Sequence, residues 1–180
     1  MDTDIYKLGV LVALYTGLRL GELCALNWDD ISEDRIRICR TVQRLQKEDG
    51  MGTELFTGAP KTKTSIRTIP IPSFLKEVIL PFRKQELEQS RFLANYPNEI
   101  VEPRTMQYKF KKYLKEAEVN PANFHALRHT FATRCIERGF EVKTLSEILG
   151  HSNVQTTLNK YVHTSFALKQ SNMDLLTLDL

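Results

Sequence analysis

Cysteine is scarce in this chain of 180 residues. Cys24, Cys39 and Cys135 are odd in number, scattered and never in C-x-x-C spacing. That excludes a disulfide scaffold and leads us to expect a reducing, cytoplasmic setting. Long apolar runs are missing too. None approaches the ~20 residues of a membrane span; the stretch from Leu8 to Tyr15 is too short, and no basic signal-peptide start precedes it. A metal site is barely hinted at. His125 and His129 stand four apart, a helical spacing for a ligand pair, but no third ligand and no H-E-x-x-H glutamate accompany them. We therefore expect no metal, and His129 reads as a core or supporting histidine. Internal repeats and low-complexity tracts are absent as well. What remains is ordinary for a globular domain, with 42% hydrophobic and 26% charged residues, enough for one core without staples.

A net charge of +3 is too small to name a partner. Its distribution says more. Residues 1–34 carry an acidic excess, whereas residues 35–47 hold Arg35, Arg37, Arg40, Arg44 and Lys47 without an acid. Residues 104–115 repeat that basic block with Arg104, Lys109, Lys111, Lys112 and Lys115. Basic charge in blocks suits a polyanion-binding face, although a solvated helix and a charge-protected edge strand would look the same. Arg35, Arg37, Arg40, Arg44, Lys109, Lys111 and Lys112 are the candidate DNA contacts.

Ile5, Leu8, Val12 and Tyr15 recur at helical spacing and predict a buried first helix over 4–15. Thr16-Gly17 breaks it, and a second helix is expected from Leu20 to Trp28. Ile36, Ile38 and Val42 alternate with Arg35, Arg37 and Gln43; Glu54–Thr57 and Ser65–Pro70 follow as further strand candidates. From Ser73 the pattern is helical, with Pro81 expected to kink or divide the helix. A loop over 91–103 leads to helices near 104–117, 125–138, 141–149 and 153–162, with Gly139 and Gly150 at C-terminal caps. The expected fold class is mainly α with a small antiparallel β-sheet (α+β), in one domain over 1–165. Residues 166–180 read as a weakly amphipathic tail helix.

Four segments carry chemistry. Arg19 follows the Thr16-Gly17 break, so a helix would begin there and offer its amides to an anion. His125 and Arg128 lie at i and i+3 on one helix face, where a histidine can move a proton near pH 7 and an arginine can grip phosphate. His151 follows a helix-ending glycine and can donate to the same phosphate. Tyr161 supplies a phenol, a weak nucleophile unless its charge is stabilised. Standing alone, that tyrosine would be packing and the His125–Arg128 pair a solvated helix start.

Together these segments resemble the catalytic domain of the tyrosine recombinases, the phage-integrase family. The likeness spans roughly residues 5–165 and rests on Thr16-Gly17-Leu18-Arg19-Leu20-Gly21-Glu22, Leu26-Asn27-Trp28-Asp29-Asp30, Pro60-Lys61-Thr62-Lys63, Arg67-Thr68-Ile69-Pro70, His125-Ala126-Leu127-Arg128-His129-Thr130-Phe131-Ala132-Thr133, Leu149-Gly150-His151-Ser152 and Tyr161. The resemblance implies that Arg19 and Arg128 are the active-site arginines, His125 and His151 the two histidines, and Tyr161 the nucleophile. It also implies a lysine on the turn before the last strand. Lys61 and Lys63 compete for that role, the Pro-Lys-Thr context favouring Lys61. Glu22 would orient the site through Arg19, and His125 would be the base for the phenol.

The implied reaction is site-specific recombination of double-stranded DNA through a 3′-phosphotyrosyl intermediate, in a bacterial or phage-encoded enzyme that needs no cofactor. A type IB topoisomerase and a catalytically silent DNA-binding module are the alternatives. Family members work as a homo-tetramer on DNA, so a monomer is expected in isolation, with an accessory excision factor as a further partner. The tail would be exchanged between subunits. The family's usual N-terminal DNA-binding domain is absent from this chain, which reads as an excised catalytic domain.

Overall fold

The computed structural model describes residues 4–47, 50–60, 62–85, 91–94, 99–161, 170, 173 and 174. Its first helix, α1 (Ile5–Thr16), is apolar around most of its circumference and buries Ile5, Tyr6, Leu8, Gly9, Val12 and Ala13. A helix with so little polar face has to be surrounded. It packs against α2 (Leu20–Cys24), α3 (Ser73–Gln85), α4 (Pro103–Glu116) and α5 (His125–Glu137). Two shorter helices, α6 (Val142–Leu149) and α7 (Val154–Tyr161), close the chain's C-terminal side.

The second helix is shorter than the sequence suggests. It stops at Cys24, and Trp28–Asp30 form a separate 3₁₀ turn. Asp30 explains the break. Its carboxylate accepts the Asn27 amide at 2.9 Å and pairs with Arg40, so the chain turns there instead of continuing helically.

The expected small sheet is corrected to two separate ribbons. Strand β1 (Arg35–Ile38) pairs antiparallel with β4 (Arg67–Pro70), placing Ile36 opposite Ile69. Strand β2 (Thr41–Gln46) pairs with β3 (Thr53–Gly58). The alternating run from 35 to 43 is interrupted at 39–40 because both residues are tied to Asp30: Cys39 Sγ lies 3.6 Å from its Oδ1, and Arg40 forms the ion pair. The first ribbon buries Ile36, Ile38 and Ile69 in the core, whereas Leu45 and Phe56 of the second stand 40% and 47% exposed.

Of the two expected effects of Pro81, division does not occur: α3 runs on from Ser73 to Gln85. Pro81 lies on the exposed face, where the carbonyl of Glu77 that loses its donor is open to water. Of the tail, only Gln170, Met173 and Asp174 are described; Asp174 donates its amide to the Gln170 carbonyl at 2.9 Å, as in a helical turn. The remainder of the expected tail helix lies outside the described residues.

The apolar interior falls into two clusters. The larger centres on α1 and includes Val12, Leu18, Leu23, Trp28, Ile36, Leu75, Phe92 and Met106. The smaller holds Ala132, Cys135, Leu145, Leu149 and Tyr161, from α5, α6 and α7. Gly17 stands at their junction. It ends α1 in the left-handed region (φ 66°), and a Cβ there would lie 2.6 Å from Phe131 and 2.9 Å from Leu149. Gly17→Ala is therefore expected to destabilise the domain by about 1–3 kcal/mol through backbone strain, with the clash adding to it. The shift of the urea midpoint measures this loss.

Candidate active site

The site begins with Glu22, whose side chain is 3% exposed. A buried carboxylate must be fully partnered. Arg19 gives it a backbone N–H at 2.9 Å and Nη1 at 2.8 Å, and Arg67 grips both oxygens through Nη1 and Nη2 at 2.9 Å each. Burial by itself would raise the Glu22 pKa. The Arg67 hydrogen bonds and charge, followed by those of Arg19, more than offset it and hold the carboxyl below its ordinary value. Sequence reasoning gave Glu22 a supporting part and missed Arg67. The signal was present: Arg67 and Ile69 are two apart on β4, so strand periodicity places a charge on the buried face.

Arg19 caps the start of α2 and remains 37% exposed, with Nη2 donating to the Gly150 carbonyl at 3.3 Å. Arg128 is only 2% exposed. Its Nη1 donates to the Gly17 carbonyl at 2.8 Å and its Nη2 to the Leu149 carbonyl at 2.7 Å, at the C-terminal ends of α1 and α6. Burial, then the neighbouring Arg19 charge, brings the Arg128 pKa down to about 9. It stays cationic at neutral pH.

His151 is placed by the end of α6. Gly150 adopts φ 65°, its N–H reaches the Glu147 carbonyl, and the His151 N–H reaches Ser146 at 3.0 Å, the paired bonds of a Schellman cap. A Cβ at Gly150 would press on Arg67 at 3.0 Å, so glycine suits the position on two counts. The imidazole Nδ1 lies 2.8 Å from Thr157 Oγ1. Burial, then Arg128 and Arg19, holds its pKa down to about 4, so it is neutral at physiological pH.

Arg19, Glu22, Gly150 and His151 line a cavity of about 370 Å³, whose opposite wall comes from Thr41, Gln43 and the turn residues Pro60, Thr62 and Ser65. Lys61 lies outside the described residues. Lys63 begins a short 3₁₀ turn, Lys63–Ser65, on the same connection between β3 and β4.

Tyr161 ends α7 with 8% exposure, packed in the smaller apolar cluster. Burial raises its pKa, opposed by the Arg128 charge. Its hydroxyl lies 3.1 Å from His129 Nδ1. His129 is thus neither core nor remote: it is exposed on α5 and touches the phenol. His125, the expected base, stands edge-on to His129 with ring centroids 4.7 Å apart. Burial first, then His129, Arg128 and Lys160, lowers its pKa.

Several of the candidate DNA contacts have partners within the domain. Arg35 is bidentate to Asp34, Arg40 pairs with Asp30, and Arg44 reaches Glu102 at 2.7 Å. Lys109 sits over the Tyr6 ring and Lys112 lies 3.6 Å from Glu116. Arg37 is exposed on β1, and Lys111 borders a separate hollow beside the end of α4.

Because the Glu22 pKa is lowered by folding, its contribution is complete above the ordinary value of 4.5 and is lost as pH falls through the folded value. Glu22→Gln strands the buried Arg67 and is expected to cost about 3–5 kcal/mol at pH 7. That deficit should shrink as pH falls through the lowered folded value of Glu22, where the wild-type carboxyl becomes protonated as well. Urea midpoints at pH 7 and in a descending series from pH 4.5 check both parts.

Comparison with known proteins gives these residues a context. Residues 3–167 match the model of the phage integrase family. A tyrosine recombinase XerC-like protein of Caldanaerobacter subterraneus subsp. tengcongensis is 37% identical over 172 residues, covering 85% of this chain and 44% of the relative. The transposase of transposon Tn916 from Enterococcus faecalis is 30% identical over 180 residues, covering 91% and 44%. The solved Tn1549 transposon integrase, in complex with transposon right-end DNA, superposes with a TM-score of 0.73 at 29% identity, over 93% of this chain and 57% of that one. This chain spans about half the length of the curated relatives it matches. The family model covers nearly the whole sequence, and it does so across every segment that builds the cavity: the chain belongs to the phage integrase family.

Proposed function

We propose that this chain cleaves and rejoins DNA strands at a specific site, integrating or excising a mobile element, through a covalent 3′-phosphotyrosyl link at Tyr161. The observation that carries this reading is the convergence of Arg19, Arg128, His151 and Tyr161, far apart in sequence, around a buried excess of positive charge. In-line attack on a phosphodiester builds negative charge on its non-bridging oxygens. Preorganised guanidinium and imidazole donors stabilise that charge without further reorganisation. The linkage conserves the energy of the broken bond, so rejoining needs no nucleotide.

In this reading double-stranded DNA is the partner, as transposon-end DNA is for the Tn1549 integrase. The active assembly is a homo-tetramer on DNA, formed from protein that is monomeric in isolation and assisted by an excision factor. Residues 166–180 would link its subunits, and a DNA-binding domain beyond this chain would complete the clamp. Lys61, favoured over Lys63, protonates the leaving 5′ oxygen.

A nicked suicide substrate traps the first step. Wild-type protein is expected to accumulate a covalent adduct, and Tyr161→Phe to bind the same DNA without forming one. Reversible binding by both proteins would reduce the chain to a binding module. Site-independent relaxation of supercoiled plasmid would instead favour the topoisomerase.

Lys61→Ala should slow cleavage by ~100- to 10,000-fold, the usual worth of a proton donor, and Lys63→Ala by much less. A 5′-phosphorothiolate substrate, whose leaving group needs no proton, should rescue the first variant. Selective rescue of Lys63→Ala would transfer the role to Lys63.

A further inference from the structure

The reaction leaves a question at the nucleophile: where does the phenolic proton go? Tyr161 is 8% exposed, and its neighbours on one side are the apolar Ala132, Cys135, Leu145 and Leu149. Among the described residues, the one hydrogen-bond partner of its hydroxyl is His129 Nδ1 at 3.1 Å. The rings are tilted by 53° with centroids 5.6 Å apart, which brings the hydroxyl rather than the ring face to the imidazole. His129 lies on the exposed face of α5, one turn after His125. His125 opens elsewhere, towards a hollow of about 250 Å³ formed with Leu18, Leu20, Gln107 and Phe124. The cations around this histidine pair are Arg128 on the same helix, Lys160 on α7 and Arg19 before α2.

We propose that His129, rather than His125, is the proton acceptor for Tyr161. This rests on the recombinase reading above. The Tyr161 O–H bond breaks and an N–H bond forms at His129 Nδ1, which requires the resting tautomer to carry its proton on Nε2. The phenolic oxygen forms the new bond to phosphorus, and the bond from phosphorus to the 5′ oxygen breaks. That oxygen takes its proton from the lysine of the 61–63 turn. On rejoining, the His129 imidazolium returns the proton to the departing phenol.

The surroundings of the phenol explain why it needs a proton acceptor. Burial holds the phenol above its ordinary pKa, so a neighbouring base is needed to accept its proton. His129 can accept charge towards solvent, since its ring is exposed, while the phenol stays in the apolar cluster. The edge-on contact with His125 imposes one condition. Two imidazolium rings with centroids 4.7 Å apart repel, so His125 stays neutral when His129 takes the proton.

Two measurements test this. In DNA-free protein, the ¹⁵N signals of His129 (assigned by their loss in His129→Ala) should show Nε2 protonated and Nδ1 shifted by Tyr161→Phe. An Nδ1-protonated tautomer, or no change on removing the phenol, would overturn the pairing. On the suicide substrate, His129→Ala should form adduct roughly 100-fold more slowly or worse, with DNA affinity unchanged and the rate partly restored by added imidazole. His129→Asn, whose amide can occupy the Nδ1 position but cannot take up a proton, should be equally slow. Wild-type rates in either variant would reject His129 as acceptor. Wild-type protein that forms no adduct, yet shows the expected His129 signals, would refute the recombinase reading and leave the pairing standing.

Discussion

Three guanidinium groups and one carboxylate share a small, largely buried volume in this domain, and the rest of the structure is arranged to make that tolerable. Arg19, Arg67 and Arg128 surround Glu22, which engages the first two directly. One carboxylate cannot neutralise three cations. The balance comes from backbone carbonyls: Gly17 and Leu149 for Arg128, Ile148 and Ser65 for Arg67, Gly150 for Arg19. Most of these lie at the C-terminal ends of α1 and α6, where unpaired carbonyls and the helix dipole favour positive charge. Carbonyls supply partial charges only, so a positive excess remains and an anion is the natural third party. The Arg128 pKa is lowered first by burial and then by the Arg19 charge, the second cause reflecting the same excess.

That arrangement ties the two apolar interiors together. The carbonyls that hold Arg128 come from one helix in the larger apolar cluster and one in the smaller, so its guanidinium joins the two interiors. Both helices end in left-handed glycines, Gly17 and Gly150, which free the carbonyls from continuing the helix and let the chain reverse within a residue or two. Arg67 extends the linkage by reaching from β4 to both Glu22 and the last turn of α6. The small β1–β4 ribbon is therefore a positioning strut, since its inward face carries Ile69 for the core and Arg67 for the site.

Much of this was legible in the chain itself. Helical periodicity located α1, and the segments bearing Arg19, Arg128, His151 and Tyr161 were recognisable by their spacing and by resemblance. Local patterns failed where a distant side chain intervened. The break between β1 and β2 depends on Asp30, some ten residues upstream, capturing Arg40 and Cys39, which no alternation of apolar residues encodes. Asp30 likewise cuts short the helix that Leu20–Trp28 seemed to promise. That α3 continues through Pro81 goes with the exposed position of that residue, which the sequence does not give. Composition alone does not show that three arginines of the basic block over 35–47 are paired with Asp34, Asp30 and Glu102.

Tyr161 shows how one side chain can serve packing and still present a polar group at a fixed place. Tyr161 contributes its ring to the smaller apolar cluster and its hydroxyl to the polar edge, so burial fixes where the oxygen stands. The same burial makes the phenol a weaker acid, a penalty only partly offset by the Arg128 charge. A more exposed tyrosine would ionise more readily, but nothing would hold its oxygen in one place. A fixed phenol with a hydrogen-bonded imidazole keeps the oxygen protonated until a phosphate is present. In the proposed reaction, ionisation would be coupled to attack, because the charge lost from the phenol would pass to phosphate oxygens placed among Arg19, Arg128 and His151.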